Sequence, residues 1–82
     1  MKFPNKNTVE MLRKKYQVGT RVELVEMDDL QAPPIGTRGT VWGVDDAGSI
    51  MVHWDTGSGL HVIYGIDKCK IVKEIDGGIA NE

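Results

Sequence analysis

The apolar residues of this chain recur at helical spacing before Thr20 and alternate with polar residues after it, and this change of period restricts the fold most. It predicts one short helix followed by a series of short strands. After Thr20 the runs "TRVELVEM", "GTVWGVD", "SIMVHWD", "LHVIY" and "KIVKEI" follow one another at spacings of about ten residues or a little more, separated by Gly and Asp. No second helical stretch falls between them, so a parallel sheet with helical crossovers is excluded. The expected architecture is mainly β: a small antiparallel β-barrel of about five strands, preceded by a short N-terminal α-helix. Three segments follow from this, with a basic helical piece at residues 1–18, the barrel at 19–75 and a flexible, glycine-containing tail at 76–82.

Within the first segment, Asn7 followed by Glu10 resembles a capping box, and "TVEMLRKKY" continues without Gly or Pro. Val9, Leu12 and Tyr16 fall on one face. Arg13, Lys14 and Lys15 occupy the last turn, where cations suit the negative end of the helix dipole, and Gly19 stops the helix. So short a helix is marginal alone and needs a surface for its apolar stripe.

The strands carry their own punctuation. In "TRVELVEM" the apolar phase shifts from Val22 and Leu24 to Val25 and Met27, which signals a bulge or bend of the sort that curls a small sheet. Residues 45–48, "DDAG", read as a hairpin loop with Gly48 in the left-handed position. The long connection at 28–39 contains Pro34 and Gly36, placed for the second and fourth positions of a type I turn. Alternation puts Val22, Leu24, Val41, Ile50, Val52, Trp54, Val62 and Ile71 in the core, and leaves His53 and His61 on the outer face.

The stretch "VHWDTGSGLHVIYG" resembles a reactive site, yet each residue has a structural role. Trp54 goes to the core, Asp55 and Gly57 to the turn, and both histidines to solvent. Two histidines fall short of the three or four ligands of a zinc site, and the single cysteine, Cys69, forms no internal disulfide. "GSG" lacks the strand, lysine and helix of a phosphate loop. A serine nucleophile would need a histidine oriented by a carboxylate, and Ser49 and Ser58 both fall in predicted turns or strand starts. The chain is therefore expected to be no enzyme and to use no metal or other cofactor. It shows no apolar run of signal or membrane-spanning length, so the expected location is cytoplasmic, without membrane contact.

The net charge of −2 conceals an asymmetry. Residues 1–21 carry six cations against Glu10 alone, a net +5, whereas the remainder carries four cations against eleven acids, a net −7. A charged arm of this kind meets either an oppositely charged partner or its own domain.

The runs "ELVEMDD", "QAPP-GT-GTV-GVDD-GSI-V-WD-G" and "YG-D-CK", within residues 19–72, resemble a small family of unknown function found in Gram-positive bacteria, their phages and mobile elements. The succession "GTV", "V-WD-G" and "Y-G" is also similar to SH3-like barrels of the Mib/Herc2 type, which are protein-interaction modules. That second resemblance implies a peptide groove beside the long first loop, with acidic loop residues recognising basic ligands.

Two functional expectations follow. The first is protein binding, through Asp28, Asp29 and Gln31 of the loop together with Trp42. Trp42 alternates with Val41, so one of the two must leave the core; if it is Trp42, its ring either faces the loop or covers an open end of the barrel. The second is nucleic-acid binding through the basic arm formed by Lys6, Arg13, Lys14 and Lys15. The isoelectric point near 5.6 opposes it, because an acidic body repels a phosphate backbone.

Overall fold

The computed structural model describes residues 5–73. The tail expected at residues 76–82 lies outside them. Helix α1, Lys6–Lys15, contains no Gly or Pro and is capped by Asn5, whose side chain accepts a hydrogen bond from the Thr8 amide at 2.8 Å. The cap is thus two residues earlier than Asn7, which lies in the first turn. Both residues offer the same side chain, and spacing to an acidic residue favours Asn7; the backbone that reaches extended geometry is that of Asn5, with ψ 170°.

Five strands follow: β1 Arg21–Glu26, β2 Arg38–Val44, β3 Ser49–Trp54, β4 Val62–Ile63 and β5 Lys68–Ile71. They form one antiparallel sheet in the order β4-β3-β2-β1-β5. The two edges, β4 and β5, approach each other, but no ladder joins them among the described residues. The sheet therefore stops short of hydrogen-bonded closure. The phase shift read in β1 is a real irregularity, where the register against β5 slips between Leu24 and Glu26.

The predicted hairpin loop at 45–48 is closed by Asp45, whose carboxylate accepts from the Ala47 and Ser49 amides, with Gly48 at φ 82°. In the long loop the turn spans residues 34–37. Thr37 N donates to Pro34 O at 3.0 Å, and Gly36 at φ 93° occupies the third position, which type II geometry reserves for positive φ. Pro34 is therefore first in the turn, not second, and Gly36 third, not fourth.

α1 lies over the core, which includes Leu12, Tyr16, Val22, Leu24, Val41, Val44, Ile50, Val52, Trp54 and Val62. Tyr16 and Leu12 belong to it as fully as the strand residues do, so helix and sheet share one apolar interior. Ile71 is the exception among the residues expected inside, at 37% exposure. It pairs with Val22, but at the edge of the sheet it is only partly covered.

The run "LHVIY" contributes only two residues to the ladder. Leu60 O instead accepts from the Trp54 indole at 2.8 Å, and Ile63 O accepts from both Ile66 and Asp67 amides, which turns the chain immediately after β4. Alternation in "LHVIY" puts Tyr64 on the same face as Val62, but this turn carries it out to the surface.

Candidate functional site

The site is built around a bulge in β2. Val41 pairs with Val52 and Gly43 with Met51, so Trp42 is the extra residue without a direct partner on β3. Val41 is fully buried and Trp42 is 44% exposed. The alternation is thereby resolved, with valine inside and the indole on the outer face. A Cβ on Gly43 would come within 2.7 Å of the Met51 methyl, so the missing side chain there makes room for Met51 beside the bulge.

Two imidazoles hold the indole. His53 of β3 stacks on it with ring centres 5.3 Å apart and planes inclined by 25°, and His61 presents an edge at 6.1 Å and 63°. Both arrangements suit a ring with a negative face and a positive edge. The histidines lie on the outer face, as alternation requires, but they are neighbours of Trp42 and not isolated in solvent. Register contains this signal: residue 53 faces outward on the strand beside 42, and 61 precedes β4 on the same surface.

The acidic loop reaches this cluster through His61. Asp28 and Asp29 line a cleft with His61, Ile63, Ile66 and Asp67. Asp29 is fixed by its own turn, since its carboxylate accepts from Gln31 N at 2.7 Å and its carbonyl from Ala32 N at 3.0 Å. Gln31 serves that turn through its backbone and does not line the cleft. Three of the four residues singled out for protein binding thus converge, with His61 as the link, while Gln31 stands apart.

The basic residues are dispersed. At about 100° per residue, Lys6 and Arg13 project almost together, Lys14 a quarter-turn away and Lys15 beyond that. Arg13 is occupied, donating to Val44 O at 3.1 Å and to the Asp46 carboxylate at 2.8 Å. Lys15 lies over the Tyr16 ring, 5.4 Å from its centre. The arm is therefore a docked helix whose cations point in several directions.

Three further groups carry unusual electrostatics. Two hydrogen bonds from Arg21, at 2.9 and 2.7 Å, hold the Asp55 carboxyl below the usual aspartate range, helped by the charges of Arg21 and Arg38. Asp55 was expected to bond the turn backbone; it instead ties the β3 turn to β1, because the fold brings a guanidinium within bidentate reach. Burial is the first cause that pushes the Tyr16 hydroxyl and the Cys69 thiol up, and the neighbouring thiol adds to the rise at Tyr16. A thiol shielded in this way is a poor nucleophile. Among the described residues no group of three or more His, Cys, Asp or Glu side chains is placed to hold a metal, and no helix is long and apolar enough to cross a membrane.

These features define a small, mainly β domain with one integral helix and an exposed aromatic cluster on the sheet. The chain belongs to the DUF4314 family, a domain of unknown function, whose model matches residues 5–72 and so includes α1. No curated protein and no solved structure matches it.

Proposed function

We propose that this domain is a non-enzymatic, cytoplasmic protein-interaction module of SH3-like type, binding a basic segment of another protein across the Trp42 face. The observation that carries the reading is an indole 44% exposed yet held between His53 and His61, next to Asp28 and Asp29. An exposed tryptophan costs solvation and contributes nothing to the core, whereas a rigidly held one is the residue type most enriched at binding hot spots. The adjacent carboxylates select positive charge and reject negative. The same arrangement disfavours nucleic acid on this face, and α1 offers no continuous basic surface in its place.

Affinity capture from a lysate of the source cell, with and without nuclease, tests the class. The expected result is a protein that survives nuclease, is lost with Trp42→Ala and is retained with Lys14→Glu/Lys15→Glu. Nuclease-sensitive capture that depends on the two lysines and not on Trp42 would contradict it.

A further inference from the structure

The turn at residues 63–67 stands as a ridge with a cleft on each flank, and Asp67 lines both. Ile63, Tyr64 and Ile66 on this ridge are 36%, 48% and 58% exposed. Three apolar side chains open to solvent within four residues form a patch rather than scattered surface residues. The flanks differ in charge. On the α1 side the cleft contains Lys15 and Lys68 with Asp67 as its sole acid, over a floor that includes Leu12 and Val62. On the loop side it contains Asp28, Asp29 and Asp67, and no lysine or arginine.

We infer that two copies of this chain associate across the ridge about a two-fold axis. A surface that is apolar in the middle, basic on one flank and acidic on the other is complementary to itself under such a rotation. The apolar ridges meet, and each acidic flank faces the other copy's basic flank. A different protein would need a matching dipolar surface, which a second copy has by construction. Lys68 is free to contribute, since its ion pair with Glu26 is long, 3.6 Å, and exposed. The interface shares Asp28 and Asp29 with the proposed peptide site but does not include Trp42, which lies outside both clefts.

Sedimentation equilibrium of the full chain up to about 0.5 mM, a range that reaches weak association, provides the test. A concentration-dependent dimer is expected. Ile66→Asp, which leaves the backbone hydrogen bonds of the turn in place, should weaken it at least about tenfold. Lys15→Glu/Lys68→Glu should be monomeric, because two acidic flanks then face one another, and Asp28→Lys, which leaves Asp29 and Asp67 on its flank, should weaken the dimer. Trp42→Ala should dimerise normally, which separates the dimer contact from peptide binding that depends on the indole. A wild-type chain that stays monomeric throughout, or a dimer indifferent to both Ile66→Asp and the charge changes, overturns the inference.

Discussion

Individual side chains of this domain have effects that their sequence context only partly signals. Val52 is fully exposed to its core neighbours and not at all to water, so Val52→Ala should cost about 1–3 kcal/mol in chemical denaturation, through lost burial and an unfilled cavity. Gly39 is a sharper case. A Cβ there would lie 2.6 Å from a Val52 methyl, 2.8 Å from His53 O and 2.9 Å from the Trp54 ring. Gly39→Ala should therefore destabilise by about 1–3 kcal/mol through overpacking, whereas Gly59→Ala, with nothing within 4 Å, should leave the melting temperature nearly unchanged. The Tyr16 and Cys69 protons are retained more strongly in the fold than in the open chain, because burial raises both values. Their contribution is full below the ordinary thiol value of 9.0 and is lost as pH rises past it and past the tyrosine value of 10.0. Stability should consequently fall in alkali, and Tyr16→Phe/Cys69→Ala should flatten that fall. Asp55 has the opposite sign: its lowered value gives stability above the ordinary 3.8 that disappears in acid, an exposed and therefore small effect that Asp55→Asn should remove. Trp54 and Val41 were legible as core residues from alternation alone. The Arg21–Asp55 pair was not, because its partners are 34 positions apart and nothing local announces them.

At the scale of elements, the helix is the part whose role changes most between sequence and fold. Its apolar stripe and its cluster of terminal cations were readable, but whether it docks depends on a surface that exists only after the sheet has formed. Leu12, at 1% exposure, sits in the common core, and Leu12→Ala should cost about 2–5 kcal/mol. Arg13→Glu, which breaks an exposed ion pair, should cost no more than about 1 kcal/mol and less in high salt. Equal losses from the two changes, measured by urea denaturation, would show that charge and not apolar contact holds α1. Among the strands, the bulge in β1 was visible as a phase shift because an extra residue must move the pattern to the other face. The brevity of β4 was hidden, since Leu60 O is taken by the Trp54 indole and Ile63 O by the next turn. The edge position of β5, and with it the exposure of Ile71, depends on strand order, which alternation does not encode.

For the whole molecule, one apolar interior shared by α1 and the sheet makes a rigid base, and the outer face of that base carries the exposed cluster of Trp42, His53 and His61 with the acidic loop beside it. Each component of this cluster was legible as a residue type. Their convergence was not, because it depends on the bulge that turns Trp42 outward and on the short β4 that sets His61 against it. The charge asymmetry, prominent in sequence, is partly consumed inside the molecule by Arg13 and Asp46. The account's central claim is that the Trp42 face, and not the basic helix, is where partners bind. Amide and indole chemical shifts of the labelled full chain report both surfaces at once during titration with lysine- and arginine-rich peptides, acidic peptides and mixed-sequence single-stranded DNA. The account predicts that basic peptides alone move the Trp42 indole together with His53, His61, Asp28 and Asp29, and that Trp42→Ala abolishes the response. Shifts confined to Lys6, Lys14 and Lys15, produced by DNA and suppressed by salt, with the Trp42 indole unmoved by any peptide, would contradict it.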